Sequence, residues 1–525
     1  MGGPTGDDRT PESEEAVRLR SKDKGKARAR EPAFEMVVLG SGGGPLETDC
    51  SGRYLVKPAS SSWEDGVLGL EGGGGHGGHP LDSAYHGIEP SHRIVVDFVG
   101  SGLGALVNLL EQRDAGSLFP NLEFPATHNT AVLRAAYVFS YLTCYLITHA
   151  HLDHALSLIV LTGSVPPRPA PASPSRPPPS SPPATMAPTG RYAIGPSAPR
   201  PPVYGRRETL EKLAGAYTGG LWPELASWGN GHGLGQRSAK LETSETSDAP
   251  EEDVGGSRKK RRVNGPETEE VEVVKKEGSG VVLTPLMHSK HHLPLHPALP
   301  ISTLAFPVAH GCTSHGLYES SAMFIRHDPL SQSHTEHPEQ PNPHGTTASH
   351  DESRTAMTRE FLFFGDVESS WRKPGEEHVH AEIGAKAKVL NRAIWEEAAK
   401  SWKQGRLAAI FIECSYDSAR PAHLMFGHIS PPGLYHELQT LASLVGDQPC
   451  ASACLTPRRP LTPTPCSDPL SGLRVFVTHI KEALIPHPTG KTAREIIMSE
   501  LRELEKRGGL GVEFIEVRKG DRLGQ

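Results

Sequence analysis

Thr148-His149-Ala150-His151-Leu152-Asp153-His154 packs four potential metal ligands into six residues. It follows Tyr145–Thr148, a β-branched and apolar stretch that reads as a strand. Imidazole nitrogens suit zinc, and a carboxylate oxygen suits zinc or a harder cation. In a tight loop at a strand end, His149 and His151 are expected to face one side, and Asp153 and His154 the other, so that two adjacent metals are fed. The plain alternative is a polar loop rich in histidine by chance. Two other histidine clusters read that way: His76 with His79 in a Gly-rich stretch, and His288, His291, His292 and His296. Neither ends a clear strand or carries a spaced carboxylate, so both are expected to be solvated loops.

Outward from this run, short apolar stretches alternate with helical patterns. Strands are expected at Met36–Leu39, Tyr54–Val56, Ile94–Val96, Leu304–Val308, Ala322–Ile325, Phe361–Phe364, Ala408–Glu413, Val475–Thr478 and Val512–Val517. Helices are expected near Leu103–Gln112, Thr130–Phe139, Ala387–Trp402, Leu434–Leu444 and Ala493–Lys506. Alternation of this kind points to α/β sheets covered by helices. Chemically able residues stand where the strands end, which is where open α/β sheets place ligands.

The HxHxDH pattern resembles the signature of the metallo-β-lactamase superfamily. The longer run from His149 through Gly163 resembles that of the class II, fungal low-affinity cyclic-nucleotide phosphodiesterases. Further blocks agree in order: Val38–Pro45, Phe306–Gly311, Tyr318–Ala322, Phe363–Glu368, Phe411–Tyr416, Phe426–Pro431 and Thr478–Lys481. Ala155 and Thr162-Gly163 depart from the family pattern without removing a ligand. The resemblance implies an αββα sandwich with two divalent metal ions at one edge. Zinc is expected, with Mg2+ or Mn2+ an alternative in one site. His149, His151 and His310 are implied for one ion, Asp153, His154 and His479 for the other, and Asp366 as the bridge. Asp153 is counted among the catalytic residues as well. Glu413 and His428 resemble a pair in the zinc-dependent tRNA 3′-processing ribonucleases that protonates the leaving oxygen. Structural hydrogen bonding is the alternative for that pair. Asp97, taken as the end of the strand Ile94–Val96, is expected to orient a metal-bound histidine. The implied reaction is hydrolysis of cyclic AMP, with cyclic GMP a further candidate, to a nucleoside 5′-monophosphate by water activated between two metals.

Composition bounds the rest. The 525 residues include 48 Pro and 55 Gly, and only 36% are hydrophobic. Much of the chain therefore cannot bury enough apolar surface to offset its ordering entropy. A tail at residues 1–32 and one domain over 33–525 are expected. Disordered insertions at 166–188, 238–280, 327–359 and 446–469 interrupt that domain. Gly40–Gly44 reads as a tight turn, because the Lys-Ser/Thr of a phosphate-binding loop is missing. The seven cysteines include no CxxC pair, so free thiols are expected in place of disulfides. A net charge of −7 argues against a general nucleic-acid surface. No apolar run is long enough for a membrane span. The expected partner is the cyclic nucleotide, with no nucleic acid and no membrane. A homodimer is compatible with the sequence. A cytoplasmic location is expected, and Arg258–Arg262 raises nuclear import as a second compartment. The competing readings are an RNA 3′-end-processing endonuclease and a non-catalytic scaffold on the same fold. None of the seven ligands is missing, which weighs against the scaffold.

Overall fold

The computed structural model describes residues 32–43, 53–59, 63, 96–98, 102–164, 201–229, 280–287, 289–295, 300–314, 316–328, 358–379, 381–446 and 468–524. The segments expected to be disordered lie outside the described residues except at their edges, as do Arg258–Arg262 and Cys450, Cys454 and Cys466.

The stretch Phe361-Leu362-Phe363-Phe364 shows how the layers arise. Successive side chains of a strand point to opposite faces. Phe361 and Phe363 join an apolar cluster with Phe34, Met36, Tyr54, Leu146 and Phe411. Leu362 and Phe364 join a different one with Ile394, Trp395, Leu434 and Leu501. One face of this strand therefore meets a second sheet, and the other meets helices.

The first layer contains β1 (Phe34–Gly40), β2 (Arg53–Pro58), β3 (Val96–Phe98), β4 (Cys144–Leu146), β5 (Pro202–Gly205), β6 (Ala226–Trp228) and β7 (Val281–Pro285). The second contains β8 (Leu293–Pro294), β9 (Ile301–Thr313), β10 (Gly316–His327), β11 (Arg359–Phe364), β12 (Leu407–Glu413), β13 (Arg474–Thr478) and β14 (Glu513–Glu516). The last strand, β15 (Arg522–Gly524), returns to pair with β1. Strand order is β15-β1-β2 and β3-β4-β5-β7-β6 in the first layer, and β14 down to β8 in sequence order in the second.

Helices α1 (Gly102–Gln112), α2 (Ala115–Leu118) and α3 (Ala131–Phe139) pack on Val37, Leu39 and Leu55. Helices α4 (Leu152–Leu161) and α5 (Arg207–Ala214) pack on Tyr145, Val203 and Leu283. Helices α6 (Ala381–Lys403), α7 (Pro431–Gly446) and α8 (Ala493–Gly508) cover the second sheet. The result is the expected αββα sandwich. Among the described residues, no helix is long and apolar enough to cross a membrane.

Strands β11, β12 and β13 run parallel in register, with Phe363 opposite Phe411 and Phe411 opposite Phe476. Their C-terminal ends therefore lie side by side, with Glu413 the last residue of β12 and Asp366 and His479 just beyond β11 and β13. Four readings are corrected. His310 was expected after a strand ending at Val308, but β9 continues to Thr313 because β10 pairs with it as far as Cys312 and Thr313. Asp97 is not a strand end: it lies inside β3, opposite Tyr145. The loop expected to carry Asp153 and His154 is the first turn of α4, with His151 at its N-cap. Buried Ala155, Leu158 and Ile159 give that stretch its helical face, which the ligand motif masks in the sequence. His292 is not solvated, since its side chain is 5% exposed and its Nε2 lies 3.2 Å from buried Glu360.

Candidate metal centre

The donors come from five elements, one each from four of them and three from α4. β4 leads through Thr148 to buried His149, and the N-terminus of α4 supplies His151, Asp153 and His154. Asp153 in the first helical turn is favoured by the positive end of the helix dipole. His310 projects from β9, and Asp366 and His479 follow β11 and β13.

Three donor groups lie close enough to hold a metal; two of them share Asp366, and the third is Glu413, His428 and His479. In the first, candidate donor atoms of His149, His151, His310 and Asp366 all lie within 4.8 Å of one another. Asp153, His154, Asp366 and His479 form the second within the same limit. Asp366 belongs to both. Its Oδ2 lies 3.5 Å from His149 Nε2, 3.4 Å from His310 Nε2 and 3.5 Å from His479 Nε2. Its Oδ1 lies 3.2 Å from His154 Nε2. Burial pushes the Asp366 carboxyl up, but His479, His154, His149 and His428 together outweigh it and hold it well below the usual range. Burial depresses His149 strongly and brings His310 down to about 3, so these imidazoles are neutral and their lone pairs are available.

The arrangement fits divalent metal. His149 Nε2 is buried with no hydrogen-bond partner, although it points at a carboxylate. The opposite ring nitrogens are held from behind, as metal-binding histidines usually are. His149 Nδ1 meets Thr148 Oγ1 at 3.2 Å and Ser320 Oγ at 3.3 Å, and His310 Nδ1 donates to the Gly427 carbonyl at 3.0 Å.

His479 is clamped by the first strand. It adopts φ +55, a conformation uncommon outside glycine. Its backbone N–H donates to the Ser41 carbonyl at 2.7 Å, and Gly42 bridges to Ile480. A Cβ on Gly43 would sit 2.6 Å from the His479 ring. The Gly-rich turn is thus a close-packed support for a ligand, which its sequence showed only as a turn.

Glu413 and His428 come together beside the second set. His428 Nδ1 is 2.9 Å from Glu413 Oε2, and Val367 N–H donates to Glu413 Oε1 at 2.6 Å. Burial, reinforced by Asp366, raises the Glu413 carboxyl well above its usual range, and burial lowers His428 to about 4. The pair is therefore neutral overall and shares one proton between Nδ1 and Oε2. His428 also lines a cleft with Trp371, Arg372, Arg420 and Met425. Sequence reasoning missed Thr148, Ser320, the Gly427 carbonyl and Tyr318, whose ring stacks on His151 at 4.3 Å. No spacing rule links residues 170 positions apart. Only the place of Ser320 and Tyr318 inside the already noted block Tyr318–Ala322 was a usable signal.

The family model for class-II cAMP phosphodiesterases matches residues 119–520. A Candida albicans 3′,5′-cyclic-nucleotide phosphodiesterase is 23% identical over 512 residues, 91% of this chain and 96% of that protein. A Yersinia pestis protein named "Probable 3′,5′-cyclic-nucleotide phosphodiesterase" is 28% identical over 179 residues, 33% of this chain and 41% of that protein. The crystal structure of unliganded yeast PDE1 superposes with a TM-score of 0.53 at 18% identity, covering 94% of this chain and all (100%) of that one.

Proposed function

The chain belongs to the class-II cAMP phosphodiesterase family, and from that premise we propose that it opens 3′,5′-cyclic AMP to the nucleoside 5′-monophosphate with two zinc ions held by the paired ligand sets. One observation carries this reading: six donors carried by β4, α4, β9 and β13 converge on a seventh, the shared carboxylate of Asp366, in a chain of this family. Nitrogen and carboxylate donors in this mixture suit zinc. Bound divalent ions supply Lewis acidity, lowering the pKa of a water and offsetting charge on the phosphoryl oxygens.

The protein's own groups do the rest. Neutral imidazoles at His149, His310 and His479 present lone pairs inward without a prior proton loss. Asp366, ionised and buried, sets the spacing of the two sets. A 3′-alkoxide leaves poorly at neutral pH and needs a proton. With Nδ1 engaged by Glu413, His428 keeps a hydrogen on Nε2, whether the shared proton is drawn on the nitrogen or on the carboxyl. That Nε2–H is the donor to the leaving oxygen, and Glu413 restores the imidazole by releasing the shared proton to it.

The test is product identification with purified protein and cyclic AMP, cyclic GMP or a precursor RNA. Adenosine 5′-monophosphate is expected from cyclic AMP, with no activity after chelation and recovery on adding back zinc. Full activity of the metal-free protein, or cleavage of the RNA alone, overturns the reading. Cytoplasmic action belongs to the same reading and is checked by imaging a tagged chain, with and without Arg258–Arg262.

A further inference from the structure

Of the three histidines in the first ligand set, His151 is held differently. His149 and His310 each have a hydrogen bond on the ring nitrogen facing away from Asp366. His151 makes one ring contact of that kind, between its Nδ1 and His310 Nε2 at 3.1 Å, within the set itself. Among the described residues, nothing hydrogen-bonds its other nitrogen. It is also the only half-buried member of the set. An imidazole on a short loop with no such partner is free to swing about χ2 unless packing stops it.

Packing is supplied by Tyr318. Its ring lies parallel to His151, 4.3 Å away at 15°, and meets His310 edge-on at 5.8 Å. Lys212 Nζ of α5 also stands over the ring, 3.8 Å from its centroid. The sheet aims the ring. The β9–β10 ladder pairs Leu317 with Cys312 and Glu319 with Ala309, so His310 and Gly311 oppose the single residue Tyr318. A bulge of this kind bends the strand and redirects side chains, and bulges gather beside active sites. The same irregularity points His310 at Asp366 and lays Tyr318 on His151. It is braced from the far side by Gly427, whose Cα packs on Gly311.

We propose that Tyr318 is a positioning residue that sets the His151 imidazole in the first metal set by stacking, with Lys212 pinning the tyrosine ring. The inference rests on the two-ion reading above. The experiment titrates metal-free protein with Zn2+ and with Co2+ against a competing chelator, resolving the two binding steps. Tyr318→Leu removes the stacking face, Tyr318→Phe keeps it, and Lys212→Met keeps the packing stem while removing the charge. Tyr318→Leu should weaken one of the two steps by about 10- to 100-fold, the range for a lost support of a ligand, and leave the other unchanged. Tyr318→Phe should restore most of that loss, and Lys212→Met should weaken the same step by a few-fold. The Co2+ absorption of the weakened site should change in shape for Leu and not for Phe. Chelated Tyr318→Leu should melt within a few degrees of wild type; Lys212→Met, on an exposed helix face, reads the same step should Leu fail to fold. Wild type that binds two ions while Tyr318→Leu binds them equally well overturns this inference alone. Wild type that binds none overturns the metal reading with it. Equal weakening of both steps, or a Phe variant as impaired as Leu, also overturns it. An unchanged Lys212→Met removes Lys212 from the proposal.

Discussion

At His428, two demands meet in one side chain: a proton must be available at neutral pH, and the ring must not be captured as a ligand. Its Nδ1 lies 2.9 Å from Glu413 but 3.7 Å from Asp366, so the carboxylate beside it, and not the shared one, sets its orientation. The ring lies nearly parallel to His479, 5.2 Å away, which limits rotation. His428→Ala is expected to lower cyclic AMP turnover by about a hundredfold or more, as for a lost general acid, with metal content unchanged by elemental analysis. Glu413→Gln should give a smaller loss. On a p-nitrophenyl phosphodiester, whose leaving group needs no proton, both variants should recover most of their rate. Loss of metal from His428→Ala would make it a ligand. Equal impairment on both substrates would make it a phosphate-positioning group.

Elements hold these residues through a few tight contacts. The turn Phe426–Gly427 is left-handed at both residues, with φ +51 and +79. A Cβ on Gly427 would lie 2.4 Å from Gly311 N, so the turn and the β9 bulge are in contact with no room for a side chain. Gly427→Ala should cost about 1–3 kcal/mol, the usual size of such backbone strain, read by denaturant melts of the chelated protein. Because Gly427 also supplies the carbonyl behind His310, metal affinity should fall as well. A variant with wild-type affinity would show that the turn only connects β12 to α7. The loop after Asp366 is held similarly from the helix side. Buried Glu437 of α7 accepts from Ser369 Oγ at 2.9 Å, Ser370 N at 3.0 Å and Trp395 Nε1 at 2.7 Å.

Across the whole molecule, the inner apolar layer is what brings the two sheets' ends together. Phe411 is fully buried there, stacked on Phe476 at 4.6 Å and meeting Tyr54 at 5.3 Å edge-on. Phe411→Ala should destabilise by about 3–5 kcal/mol through lost transfer energy and a cavity, measured by denaturant unfolding with metal removed. A change under about 1 kcal/mol would show that the layer collapses around the gap. Residues 166–188 and 238–280 are too poor in apolar side chains to build a core of their own. Replacing each with a short Gly/Ser linker should leave turnover within a few-fold, and loss of folded protein would show that a core boundary was misplaced.

Strands such as Phe361–Phe364 and Val475–Thr478 and the long helices were legible in the sequence, because a short continuous apolar run marks the former and a period of 3.6 residues the latter. The ligand identities were legible too, since HxHxDH concentrates donors in one run and the later blocks keep their order. Short strands such as Pro202–Gly205 and Val281–Pro285 were not, because so few residues carry no period and only their neighbours in the sheet make them strands. The helical start at Leu152 was hidden by the ligands that occupy its first turn. What the tertiary structure alone decided is which far-separated groups support the donors: Ser41 and Gly43 under His479, Ser320 behind His149, Gly427 behind His310, Tyr318 on His151. Chemical type and spacing along the chain determine what a residue can bind. Orientation comes from hydrogen bonds and packing across sheets, and those contacts exist only once the two layers have closed.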